Sequence, residues 1–480
     1  MNSRKKILFV AGNVEHLYQF VIHGFFKELS ETSSIYLTMP ERELSDLRWV
    51  EMSAHLDGVF TEVLPYKYLA RAKTAGYQLG EASTFNFRNI STGYMTRLRN
   101  KFLIGLGIPA NWKSSDGIRE IIKHFDTIWG RFVKEVPTLV RGTTVCFWFW
   151  KRFAVFKVLK NSGIGQVLKS LKPDVVIVLM QRQAGFVISA LHFSEEEDIP
   201  TLLLPVKWDN ASSKSPLIKT PNRMLVYNNQ VGSVCSRLHR MARESIVAVG
   251  SVEVGTGRLN EAVADEKLIV LIGSTSDATS SKPWLSCVNS ALNNFSVEES
   301  KKIKIVWRPY PTAEQKSLDF MQSFASTHPK IKLDSDIAKG ISHRSRRNNF
   351  SEIIESYERY CNLIDDAHLV VSEGTSAIVD SRARGVPVVV PAFKRNAVIG
   401  SQWYLINGFE HSQGLKTTRG VFIAEDEEEL KRLVVDFLEN PRRIPPDNSG
   451  ENIFVDERTY AQRVLDVIDD AIAEKSKQRD

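Results

Sequence analysis

The chain has 480 residues, 43% hydrophobic and 25% charged, a globular composition that excludes mainly disordered, collagen-like and integral-membrane classes. At roughly 100–200 residues per domain, the length predicts two or three domains, each able to build a core. The net charge is only +7, but fifteen Lys/Arg stand against four Asp/Glu between Arg97 and Lys172, a local basic surface suited to anionic lipid, phosphate or nucleic acid.

Residues 7–11 read as a buried strand opening into a turn at Gly12. A helix follows over 16–29, on the spacing of Leu17, Phe20, Val21, Phe25 and Leu29, then a strand over 34–38. Strand, helix, strand begins a parallel sheet with crossover helices. No G-x-G-x-x-G follows the first strand, which disfavours a nicotinamide enzyme. From 93 to 171 the chain is helix-like, basic and aromatic, densest at Cys146-Phe147-Trp148-Phe149-Trp150-Lys151-Arg152-Phe153. This is either a core helix with a basic edge or a membrane-interface surface, where Trp148, Trp150, Lys151 and Arg152 would meet anionic lipid.

The alternation resumes with strands at 175–179, 202–204, 224–227 and 246–249 and a helix around 184–191. After a polar, Gly-containing stretch at 250–266, strands recur at 268–272, 303–307, 331–333, 369–371 and 388–390, and amphipathic helices occupy 426–438 and 457–473. The predicted organisation is an α/β domain over 1–255 with an insertion near 93–171, a second over 256–455, and a C-terminal helix in 456–480 packing back on the first. Two such halves face one crevice at their strands' carboxyl ends. Four scattered cysteines without metal-ligand spacing point to a reducing compartment. The absence of a ~20-residue apolar run or a signal-peptide core points to the cytoplasm.

The strongest local motif follows the strand at 369–371: Ser372-Glu373-Gly374-Thr375-Ser376-Ala377-Ile378-Val379-Asp380-Ser381-Arg382-Ala383-Arg384-Gly385-Val386-Pro387-Val388. A turn at Gly374 opens a helix whose first N–H groups can seat a phosphate. Thr375 and Ser376 stand beside that seat, and Asp380 lies a turn further on to accept sugar hydroxyls. Read structurally, Thr375 or Ser376 is an N-cap and Gly385 a C-cap.

Gly-Thr-Ser-Ala, an acid four places after the Ser, and Gly-Val-Pro-Val together resemble the donor-nucleotide motif of GT-B fold glycosyltransferases. Lys172-Pro173-Asp174, Lys207-Trp208-Asp209-Asn210-Ala211-Ser212-Ser213-Lys214, Val249-Gly250-Ser251, Gly273-Ser274 and Trp307-Arg308-Pro309-Tyr310-Pro311 follow the same order. Over roughly 172–473 the series resembles bacterial surface-carbohydrate and capsule transferases related to CDP-glycerol glycerophosphotransferases. It departs from them at Tyr310, where they usually have His, and at Asp380, where they often have Glu.

The resemblance implies a GT-B fold, two doubly wound Rossmann-like domains facing a central cleft. It implies transfer of a sugar from a nucleotide-sugar donor to a hydroxyl of a glycan or lipid-linked acceptor. No metal or other cofactor is implied, and no specific nucleic-acid partner. The protein would be cytoplasmic, at the inner face of the membrane. Donor binding would fall to Gly273, Ser274, Arg308 as phosphate cation, Tyr310, Glu373, Gly374, Thr375, Ser376 and Asp380. Gly12, Asn13, Trp208, Asn210, Ser213 and Lys214 would form the acceptor side, with His16, Asp209 or Glu15 as general base. Two other readings stand beside it. One is a sugar-nucleotide 2-epimerase of the same fold, needing a base and an acid around the donor sugar. The other is a glycan- or polyanion-binding protein without turnover, kept open by Tyr310 and Asp380. No H-x-x-x-H, G-x-S-x-G or P-loop is present, which disfavours hydrolases and P-loop enzymes.

Overall fold

The computed structural model describes residues 4–67, 144–160, 162–180, 185–210, 217–252, 266–273, 278–310, 315–339, 349–374, 376–394, 402–408, 412, 414–445 and 456–479. The predicted site residues Ser213, Lys214, Ser274 and Thr375, and the side chains of Trp148 and Trp150, lie outside the described residues. The chain divides into two compact units, one of Met1–Val252, Gly408–His411 and Arg458–Asp480, the other of Glu253–Asn407 and Ser412–Glu457.

The first unit holds a seven-stranded sheet: β1 (Lys5–Val10), β2 (Ser33–Pro40), β3 (Glu62–Tyr66), β4 (Val175–Met180), β5 (Thr201–Pro205), β6 (Arg223–Val226) and β7 (Ile246–Ala248). All neighbours pair in parallel, in the order β3-β2-β1-β4-β5-β6-β7. All six residues of β4, Val-Val-Ile-Val-Leu-Met, are buried, the continuous apolar run of a parallel strand covered on both faces. Edge strand β3 escaped the sequence reading because Glu62 and Pro65 interrupt its apolar pattern; an edge tolerates the missing N–H of a proline.

The helix expected over 16–29 is instead a 3-10 turn, Val14–His16, and two short helices, Tyr18–Ile22 and Phe25–Thr32. The break falls at Gly24, whose φ of 68° is left-handed and open to glycine without strain. It turns Phe25 and Phe26 onto Phe9, with ring centroids 5.9 and 5.0 Å away. The C-terminal helix, Tyr460–Arg479, belongs to this unit. It buries Tyr460, Ala461, Val464, Ile468 and Ala471, and Arg463 Nε donates to the Val249 carbonyl at 2.7 Å. Ion pairs Lys5–Asp469, Arg223–Glu474 and Lys475–Asp198 line its outer side; with each carboxylate exposed to solvent, they add little beside the buried apolar area.

The second unit holds β8 (Lys267–Ile272), β9 (Ile303–Arg308), β10 (Ile331–Leu333), β11 (Leu369–Ser372), β12 (Val388–Pro391) and β13 (Val421–Ala424). They too pair in parallel, in the order β10-β9-β8-β11-β12-β13. Counted from the start of each unit, both sheets therefore begin 3-2-1-4-5-6, the doubly wound Rossmann order. The core of the second unit centres on Trp307, fully buried with Phe320 and Phe324 edge-on at 6.1 and 5.8 Å. Among the described residues no helix is long and apolar enough to cross a membrane.

Candidate functional site

Ligands of doubly wound sheets meet the strands' carboxyl ends where the strand order reverses. Those points are β1/β4 in the first unit and β8/β11 in the second, and the sequence motifs fall on both.

In the second unit β8 ends at Gly273, whose N–H donates to the Arg308 carbonyl at 3.2 Å. A Cβ there would lie 3.4 Å from Pro309 Cα, so the two strand ends close tightly. Beyond β11, Glu373 is buried and its N–H donates to the Ile272 carbonyl at 3.1 Å. Glu373 Oε1 accepts from Ser281 Oγ at 2.9 Å and Trp284 Nε1 at 3.0 Å, which fastens the start of helix Lys282–Ala291 to the end of β11. The Gly374 N–H donates to Gln402 Oε1 at 2.7 Å. The amides of Glu373 and Gly374 thus have protein acceptors, one in the sheet and one in a side chain. Ser376 stands at the N-cap of helix Ala377–Ala383 with no side-chain capping bond.

Two predicted ligand groups are turned to other work. Arg308 Nη1 pairs with Asp334 Oδ2 at 2.9 Å, Nη2 donates to Ser356 Oγ at 3.3 Å, and the guanidinium lies 5.3 Å from the Tyr360 ring centroid. Asp336, 3.7 Å from Arg308, also receives Arg359. Burial acts to raise the Asp336 pKa, but hydrogen bonds from Arg359 and Ser356 and the charges of Arg359 and Arg308 outweigh it and hold the carboxyl below its ordinary range. Tyr360 Oη donates to buried Asp380 Oδ2 at 3.1 Å, so Asp380 faces helix Phe350–Asp366. The phosphate cation and sugar-hydroxyl acceptor of the sequence reading are therefore joined in one ionic and aromatic network. Tyr310 is half-buried just beyond β9.

The remainder of the motif builds the fold. Arg382 is fully buried, and its guanidinium donates to the carbonyls of Arg419 (2.9 Å), Val386 (2.8 Å) and Ile444 (2.8 Å). Burial, with the charge of Arg419, brings its pKa down to about 10, so it stays charged near neutrality. Gly385, at φ 73°, turns the chain toward β12, the C-terminal role its sequence position suggests.

In the first unit Gly12 follows β1, and a Cβ there would lie 2.4 Å from Phe186 Cε1. Asn13 caps the 3-10 turn, its Oδ1 accepting the His16 N–H at 3.1 Å. His16 is buried, 5.9 Å from Phe186 between ring centroids, and its Nδ1 accepts the Gly12 N–H at 3.3 Å. A neutral imidazole accepting at Nδ1 carries its proton on Nε2. In that tautomer Nε2 is the ring's hydrogen-bond donor. Glu15 pairs with buried Arg48 at 3.2 Å, and Arg48 also grips Asp46 at 2.8 and 2.9 Å.

After β5, Trp208 is only 5% exposed, so its indole is part of the core. Asn210 is buried, its Oδ1 accepting the Lys207 N–H at 2.8 Å while its Nδ2 donates to Asp209 Oδ1 at 3.4 Å. The loop closes on its own backbone, as Asx residues do. Asp209 is half-buried.

Sequence reasoning missed Gln402, Phe186, Arg48, Asp334, Asp336 and Tyr360. None belongs to a motif; each is brought to a strand end by tertiary pairing. Among the described residues no group of three or more His, Cys, Asp or Glu is placed to hold a metal ion.

No family model matches the chain, and no curated protein matches it. Solved structures do. A candidate UDP-N-acetylglucosamine 2-epimerase from Listeria monocytogenes superposes over 98% of this chain and 98% of its own, with a TM-score of 0.50 at 11% identity. A glycosyltransferase from Rickettsia africae covers 98% of this chain and 99% of its own (TM-score 0.46, 10% identity). MurG from Acinetobacter baumannii covers 98% and 100% (TM-score 0.40, 12% identity). What the Listeria protein shares at that identity is the fold, and with the strand orders above it shows this chain to have the GT-B fold of two Rossmann-like units.

Proposed function

We propose that this chain acts on a sugar nucleotide and that its reaction is 2-epimerisation of the donor sugar, without an acceptor. The observation that carries the choice is the burial of Trp208 and Asn210: the indole and amide that transfer to a glycan would use are folded into the first unit. The full-length likeness to a candidate 2-epimerase supports the same reading.

Inverting the carbon beside the anomeric centre breaks its C–H bond: a base takes the proton, the electron pair forms a C1=C2 double bond as the nucleoside diphosphate leaves C1, and return of the diphosphate to C1 with protonation of C2 on the other face gives the epimer, steps that an acid and a base accomplish without a metal. His16, with its proton on Nε2, is the proposed donor. In the second unit the Gly374 N–H is the proposed phosphate contact, reached when an anionic oxygen takes the place of Gln402 Oε1. Gly273, Ser274, Tyr310, Thr375 and Ser376 complete the proposed nucleotide side, while Arg308 and Asp380 hold its walls in place. A cytoplasmic location, where sugar nucleotides are made, is part of the proposal.

The test is incubation of the purified chain with UDP-N-acetylglucosamine alone in deuterated water, followed by proton NMR. A 2-epimer carrying deuterium at C2 supports the reading. Product formed only when a glycan acceptor is added replaces it with glycosyl transfer, and nucleotide binding without either product replaces it with a binding role.

A further inference from the structure

Residues 144–172 contain six Lys/Arg and no Asp or Glu. Within them the helix Thr144–Lys160 packs one face, through Ala154 and Val158, on Ile188. On another face Phe149, Phe153 and Phe156 are 79%, 56% and 60% exposed. Steps of four and three residues align these rings in one stripe along the helix. Cations flank the stripe: Arg152, Lys157 and Lys160 are exposed, with Lys157 Nζ 4.4 Å from the Phe153 centroid and Lys160 Nζ 5.9 Å from that of Phe156. A run of exposed large rings on a folded surface marks a contact site.

We propose that this stripe docks the protein on an anionic lipid surface. Charge complementarity selects that occupant. A second copy would set Arg152, Lys157 and Lys160 against their own kind, and duplex nucleic acid would satisfy the cations but give three phenylalanines nothing apolar to enter. An anionic bilayer serves both at once: the rings enter the boundary of headgroups and acyl chains while the lysine stems rise to the phosphates. The helix lies in the interface plane and does not span it.

The experiment is flotation of the full chain with vesicles of phosphatidylglycerol mixed with phosphatidylcholine, against phosphatidylcholine alone, at low and high salt. The expected result is binding to the anionic vesicles, weakened by salt. The triple variant Phe149→Ser, Phe153→Ser, Phe156→Ser should keep its thermal melt, since the rings are exposed, and bind at least about tenfold less. Arg152→Gln, Lys157→Gln, Lys160→Gln should lose the preference for anionic lipid. Equal binding to neutral vesicles, no binding, or full binding by the phenylalanine variant overturns the proposal. So does a dimer dissolved by that variant, or binding to duplex DNA in place of vesicles. Epimerisation of the sugar nucleotide in solution is a separate measurement, so failure of one reading leaves the other standing.

Discussion

The side-chain carbonyl of Gln402 sits 2.7 Å from the backbone nitrogen of Gly374 and accepts its N–H. The amide that closes the turn after β11 thus carries an acceptor drawn from the helix Gln402–Gly408. Removing it by Gln402→Ala leaves the amide to a phosphate oxygen. A neutral hydrogen bond nets about 0.5–1.5 kcal/mol, so a nucleoside diphosphate should bind roughly two- to tenfold more tightly to the variant. Titration calorimetry reads this directly; weaker binding would show that Gln402 itself holds the ligand.

Arg308 tests whether the adjoining network binds or only shapes. Its guanidinium is compensated by Asp334 and stacked near Tyr360. Arg308→Gln should lower the unfolding midpoint, because it leaves Asp334 and buried Asp336 short of a partner. Nucleoside diphosphate affinity, measured well below that midpoint, should change less than about twofold, whereas loss of a direct phosphate contact would cost far more.

Arg382 lies within the donor-like motif, yet its four carbonyl partners, Arg419, Val386, Ile444 and Pro445, and full burial make it a staple between the helix Ala377–Ala383 and the segments at 419 and 444–445. Lysine has one nitrogen and cannot reach all four. Arg382→Lys should therefore cost about 2–4 kcal/mol, as unmet buried carbonyls do. Gly420→Ala should be comparably damaging: its φ is 81°, and a Cβ would lie 2.5 Å from Arg382 Cζ. Chemical denaturation of both variants checks the pair.

The fold was legible in the residues because parallel strands buried on both faces print as apolar runs. Val175–Met180 and Leu369–Ser372 read almost unaided. Helix continuity was not legible at Gly24, since a periodic apolar face survives a break that redirects it. Nor was the direction of single side chains. Nothing in Lys207-Trp208-Asp209-Asn210 says whether its indole turns inward; the short loop hydrogen bond of Asn210 decides that. Gln402, twenty-eight residues from Gly374, has no local pattern at all, so the partner of the amide could not be read from sequence.

His368 makes stability depend on pH. Its N–H donates to the Leu268 carbonyl at 2.8 Å, and its Nδ1 accepts the Leu268 N–H at 3.1 Å, locking β11 to β8. Burial, then the charges of Arg443 and Lys267, depress its pKa. Its contribution is complete above the unfolded value near about 6.5 and is lost as pH falls through the lower folded value, since the unfolded chain takes the proton first. The unfolding midpoint should fall on acidification below about pH 6.5. His368→Asn, whose Oδ1 can accept the same N–H without titrating, should flatten that slope; an unchanged slope would assign the acid sensitivity elsewhere.

Gly12 gives the sharpest steric prediction. A methyl group there would lie 2.4 Å from Phe186 Cε1 and 2.9 Å from its Cδ1 and Cζ. Phe186 is buried and cannot yield without disturbing its neighbour His16. Gly12→Ala should therefore cost about 1–3 kcal/mol, the range for overpacking a filled site. It should also slow the proposed epimerisation, since the Gly12 N–H that fixes His16 Nδ1 moves with the backbone. Replacing Phe186 with Leu in the same chain opens space for the methyl group and should restore most of the stability. Turnover should stay low in the double variant, because leucine cannot hold the imidazole face as the phenyl ring does. Denaturation and epimerisation assays on the two variants separate these effects. Recovery of both together would reduce Phe186 to a space-filler and remove the positioning role of the ring.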